Sequence, residues 1–136
     1  MAAIAHLQEP ALQPRSGIDH VVVPCRSYAL ARRLYLAALE PLGFSLRMDW
    51  PDNRQAFFGA GDGPSLLWLA QRSAVSPVEV VLAAPSREAV DAFYAAALAA
   101  GALPRRSPER YAELTAGAYG AAVADADGNV VEALAR

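Results

Sequence analysis

Lysine is missing from this chain of 136 residues: all 12 of its basic residues are arginine, and against 14 acids they leave a formal net charge of −2. Alongside so much alanine, that bias reads as genome base composition. The charge balance offers no basic field for nucleic acid. Cysteine is nearly missing too. The single Cys25 has no intrachain partner, so the fold must rest on its core, and Cys25 reads as a small buried apolar residue near a strand end. No neighbouring pattern marks it as a nucleophile. No apolar run approaches the roughly 18 residues of a membrane span. The start, MAAIAHLQEPALQPRSG, has no charged region followed by an apolar stretch, so neither membrane insertion nor secretion is expected, and the reading is cytoplasmic. Residues 1 to 16 hold two prolines and little apolar pattern, and read as an N-terminal tail in which His6 is a chance polar residue.

What the chain does have is a repeat. His20 and Glu79, Ser27 and Ser86, Tyr35 and Tyr94, and Leu39 and Leu98 all lie 59 positions apart. ARRLYLAALEPLG and AVDAFYAAALAAG carry the matching helical stretches, each following a Val-rich strand, and four spacings in register point to a duplicated supersecondary unit. In the first unit GIDHVVVP is a strand ended by Pro24, and a helix from about Ser27 to Leu39 is stopped by Pro41 and Gly43. FSLRMDW, RQAFFGA and PSLLWLA follow as strands, separated by the turn signals PDN and GDGP. In the second, PVEVVLAAP leads to a helix capped by Ser86, with Glu88 and Asp91 in its first turns and Gly101 at its end. Three weaker strands are expected near 102–106, 119–124 and 129–134, the last after the turn DADGN. A ferredoxin-like domain leaves one strand after each helix and is excluded by three. The expected fold is α+β: two βαβββ modules, 17–76 and 77–136, whose curved mixed sheets form a cleft with both helices outside. At this length one domain buries roughly 70% of its unfolded surface.

IDHVVV, LEPLGF, VVLAAPSREAVDAFYAAALAAG and AYGAAVADADGNVVEAL together resemble the vicinal oxygen chelate superfamily of glyoxalases, extradiol dioxygenases and bleomycin-resistance proteins. The resemblance runs from Gly17 to Arg136, and its most specific part is Asp125, Asp127, Gly128, Asn129 and Glu132. It implies four ligand positions, on the first and last strand of each module: His20 and Trp68, then Glu79 and Glu132. Trp68 cannot fill its position, because an indole N–H donates a hydrogen bond and coordinates nothing. Relatives with this second module often carry His where Glu79 stands.

Alternation puts His20 on the face of Val22, Glu79 with Val81, and Glu132 with Val130 and Leu134. Each also has a plain reading: His20 as a hydrogen-bonded structural residue, the two acids as outward-facing side chains. A carboxylate on so apolar a strand needs solvent or a partner. Asp125, Asp127 and Asn129 are turn formers, since a calcium loop runs longer and ends in a bidentate Glu.

Two functional classes stay open. In the first, His20, Glu79 and Glu132 hold a divalent metal (Mn, Fe, Ni, Zn or Mg), and Glu132 or Glu79 acts as base on a substrate with vicinal oxygens in lyase, isomerase or dioxygenase chemistry. The second is a metal-free small-molecule binder of the bleomycin-resistance type, with Trp68, Phe58, Tyr111 and Tyr119 lining its cleft. A regulatory dimer with a vestigial site is the blandest option. Arg47, Arg54, Arg105 and Arg106 read as solvated, although one entering the cleft would select an anion. The expected partners are a small molecule and a second copy in a homodimer that covers sheet edges, with neither nucleic acid nor membrane.

Overall fold

A computed structural model of the chain describes residues 16–136, so the expected N-terminal tail lies outside the described residues except for Ser16. The first unit runs β1 (Val21–Cys25), α1 (Tyr28–Leu39), β2 (Phe44–Trp50), β3 (Gln55–Ala60) and β4 (Ser65–Gln71). The second runs β5 (Glu79–Ala83), α2 (Arg87–Ala99), β6 (Leu103–Arg110), β7 (Tyr119–Ala124) and β8 (Val130–Ala135). The 59-residue repeat shows in the caps. Ser27 is extended and its hydroxyl accepts from the Leu30 N–H at 3.3 Å; Ser86 does the same for the Ala89 N–H at 3.1 Å. Gly43 and Gly101 close the two helical segments at φ 86° and 106°, where a Cβ would be strained.

The strands form two four-stranded mixed sheets, ordered β1-β4-β3-β2 and β5-β8-β7-β6. The pairs β1 with β4 and β5 with β8, each at one side of its sheet, are parallel. Val22 lies beside Trp68 and Val81 beside Glu132, which sets Trp68 and Glu132 at matching places in the repeat. Strand β6 runs to Arg110, beyond its expected end near 106. Its sequence LPRRSPER is polar and lies largely exposed at a sheet edge, so it lacks the alternation that reveals a half-buried strand.

Each helix covers one face of its own sheet. Tyr35 and Leu39 of α1 pack with Val23, Leu67 and Leu69, while Val90, Phe93 and Ala97 of α2 pack with Val80, Leu82, Val131 and Ala133. Both helices lie on the faces away from the open ones; beyond the expectation, α1 and α2 also pack on each other, and a single core cluster takes residues from both units. Both covered faces are lined with apolar side chains, and sharing one core removes more of that surface from water. The opposite face of each sheet stays open, with Val22, Met48 and Trp50 exposed on one and Val81 and Leu103 on the other.

The turn between β7 and β8 ties the units together. Asp125 Oδ1 accepts from the N–H groups of Asp127 and Asn129, and Asp125 Oδ2 accepts from the Tyr35 hydroxyl at 2.7 Å. Asn129, fully buried, donates to the Pro24 carbonyl at 2.8 Å and accepts from the Val78 N–H at 2.9 Å. Asp127 accepts from the Arg26 backbone and guanidinium, both at 3.1 Å. The DADGN segment is thus a turn, as its composition implies, and also a latch across the two halves.

Candidate functional site on the open sheet faces

On the open face of the first sheet, register brings Val22, Trp68, Phe57 and Met48 into one row, with Trp50 on the same face beside Gln55. Just before β1, His20 stacks on Trp68 with ring centroids 4.2 Å apart, and Phe57 stacks on the other side of Trp68 at 3.8 Å. Trp50 meets Phe57 edge-on at 4.9 Å. Trp68 therefore has both π faces occupied and presents its edge outward. Ring edges carry the positive part of the quadrupole, so this wall suits the π face or an oxygen of a ligand better than a cation. His20 Nδ1 is hydrogen-bonded to the Asp19 carboxylate at 2.8 Å, which fixes the imidazole and leaves Nε2 free of that contact. Phe58 does not join the row; it is 1% exposed and packs in the helix-side core. Phe57 and Trp50, which the sequence reading passed over, take its place. Adjacent strand residues face opposite ways, and only the pairing with Trp68 selects Phe57 from the Phe57-Phe58 pair.

The open face of the second sheet is polar. Glu132 lies between Val81 of β5 and Ala122 of β7, and Ala122 is paired on its far side with Arg106. The Arg106 guanidinium lies 3.6 Å over the ring of Tyr111 and is tied to Glu109 and Glu113. Gly120 makes room for this ring: a Cβ there would sit 2.8 Å from the Ala133 carbonyl oxygen and 3.0 Å from Tyr111 Cζ. Tyr111 is 2% exposed, and its hydroxyl has no hydrogen-bond partner among the described residues. Burial, then the nearby Glu132 charge, pushes its hydroxyl up to about 12. Glu132 is likewise raised above the ordinary carboxylate range, first by burial and second by Glu79, with Arg106 opposing. Glu79 itself is exposed. Tyr119 stands elsewhere: its hydroxyl donates to Asp91 of α2 at 2.6 Å, beneath Arg87.

The structure thus brings Glu79, Glu132 and Tyr111 together on one sheet, and His20 and Trp68 together on the other. Among the described residues no three His, Cys, Asp or Glu side chains are grouped to hold a metal ion. Arg106 stands one strand beyond Glu132, across Ala122, and the Trp68 indole has no lone pair to offer. Within one chain the donor set does not fit a divalent ion.

Among solved structures, a glyoxalase/bleomycin resistance protein from Albidiferax ferrireducens superposes with a TM-score of 0.72 at 25% identity, over 86% of this chain and 96% of that one. A lactoylglutathione lyase from Agrobacterium tumefaciens gives 0.65 at 19% identity, over 90% and 95%. The fosfomycin resistance protein FosX from Mesorhizobium loti gives 0.63 at 14%, over 90% and 94%. The last two share the fold alone. No protein of curated function matches the chain. A sequence profile for the Glyoxalase/Bleomycin resistance protein/Dioxygenase superfamily matches residues 17–133, and so the chain belongs to that superfamily.

Proposed function

We propose that the protein binds a small planar molecule without a metal, in a cleft formed when two copies pair the open face of one β1–β4 sheet with the open face of the other's β5–β8 sheet. The observation that carries this reading is the row of rings His20, Trp68, Phe57 and Trp50, in which Phe57 is buried while His20, Trp68 and Trp50 keep part of their surface exposed. Such a row is a preformed apolar wall, and the facing polar wall of Arg106, Tyr111 and Glu132 would orient the ligand. Pairing would also cover Val22, Met48, Val81 and Leu103, which no part of the described chain buries. The solved relatives carry names both of a lyase and of resistance proteins, and the site chemistry of this chain favours the second class.

The coupling of Glu79 to Glu132 favours one other reading, a divalent ion held by His20 of one copy and the two carboxylates of the other, supplying Lewis-acid stabilisation of a substrate oxygen. A single experiment separates them. Tryptophan fluorescence is followed during titration with anilinonaphthalene sulfonate, with and without chelator, in the wild type and in Trp68→Ala. Saturable quenching that ignores chelator and is lost in Trp68→Ala supports the metal-free cleft. Quenching abolished by chelator, or a rise in Tm with Mn, Fe, Ni, Zn or Mg that Glu132→Ala removes, supports the metal reading instead.

A further inference from the structure

At the edge of the first sheet, where β1 and β4 end and the β2–β3 turn folds over them, a depression of about 480 Å³ is lined by Arg26, Asp52, Arg54, Gln71, Arg72 and Ser73. None of its lining residues is one of the open-face residues named above. Three arginines border one hollow in a chain whose net charge is negative. Arg26 is engaged by Asp127. Among the described residues Arg54 makes no ion pair, and the Arg72 side chain donates only to the Gln71 carbonyl, at 3.2 Å.

Arg54 also occupies backbone that disfavours it. Its φ is 54° and its ψ 51°, the left-handed region, fixed from both sides: its N–H donates to the Pro51 carbonyl and its carbonyl accepts from the Gln71 N–H, each at 3.1 Å. The other described residues with positive φ, at 43, 61, 101 and 128, are all glycine. For a side chain with a Cβ that conformation costs on the order of 1 kcal/mol, and a glycine would close this turn more cheaply. The turn therefore gives no reason for arginine. An observed strained residue points toward use of its side chain, and the hollow supplies the use.

We infer that this arginine-lined depression binds a small oxyanion that also carries a hydroxyl, of the hydrogen phosphate or hydroxy acid class. Arg54 and Arg72 meet the anionic oxygens as planar two-pronged donors, as guanidinium groups do for phosphate and carboxylate. Asp52, which forms no ion pair among the described residues, repels a bare oxyanion but accepts a hydrogen bond from a hydroxyl on the ligand. The ordering expected is hydrogen phosphate or a hydroxy acid above sulfate, which has no hydroxyl at neutral pH.

The test is calorimetric titration of the full chain with inorganic phosphate, malate and sulfate at matched ionic strength, with Tm measured in parallel. The expected result is saturable binding of phosphate or malate, tighter than sulfate, and the stronger of the two identifies the ligand class. Arg54→Gly should weaken it about tenfold, the loss of one charged hydrogen-bonding group, while raising Tm because the turn is relieved. Arg72→Gln should weaken binding similarly, and Asp52→Ala should abolish the preference over sulfate. Trp68→Ala should leave all of this unchanged, which separates failure here from failure of the open-face cleft. No saturable heat in the wild type, unchanged affinity in Arg54→Gly, or a lower Tm in that variant would overturn the inference.

Discussion

Glu132 is the residue on which the open-face chemistry turns. Burial and the neighbouring Glu79 raise its pKa on folding, so it binds protons more readily in the folded chain than in the unfolded one. The stability linked to it is fully present below the unfolded carboxylate value and is lost as pH rises through the folded one. Glu132→Gln should therefore raise Tm at pH 7 and change it little at pH 4, measured by circular dichroism melts; the reverse order would contradict the burial argument. Cys25 behaves oppositely to a reactive thiol: it is fully buried, and burial, reinforced by Asp127 and Asp125, pushes it up to about 11. Native protein at pH 8 should resist iodoacetamide, with labelling appearing only on denaturation. How legible these residues were follows from what alternation can see. The placement of Glu132 with Val130 and Leu134, and of Glu79 with Val81, is a period-two statement and was readable. That Tyr111 lies under Arg106 depends on Gly120 leaving space for it across a strand pair, and no spacing within one strand carries that information.

The elements tell a similar story. Both helices were legible because each has a serine cap, an apolar periodicity and a glycine stop signal. Ser86→Ala should cost about 1 kcal/mol, readable as a shift in denaturation midpoint without change in slope. Strand β6 was legible only in part, since its polar, exposed sequence has no core-facing pattern. Its value lies in placing Arg106 beside the row that holds Glu132. Gly120→Ala tests that placement: backbone at 2.8 Å cannot yield as a side chain can, so about 1–3 kcal/mol of destabilisation is expected, together with displacement of the Tyr111 ring visible as a changed near-ultraviolet signal.

For the whole molecule, the sequence revealed two like units and not how they meet. A 59-residue register states that the units are alike; it contains nothing about which faces they share. That choice rests on buried groups such as Tyr35, Asp125 and Asn129, whose partners are up to 105 residues away. Tyr35→Phe should cost about 1–2 kcal/mol by removing one buried hydrogen bond to a charged acceptor. The open faces make the complementary prediction at this scale. Val81→Asp, placed where pairing is proposed and away from the shared core, should lower the mass found by light scattering from dimer to monomer while leaving the far-ultraviolet spectrum unchanged.

The latch has a consequence for the ancestry of the chain. Only the second unit carries it, whereas the corresponding β3–β4 turn of the first is held within its own unit by Arg47. The likeness of the two units is therefore broken at one point, and the halves recognise each other as lock and key rather than as equals. The peptide link through residues 72–78 then becomes a tether rather than a determinant. Two separately made halves should reassemble in a one-to-one mixture, and neither should pair with itself.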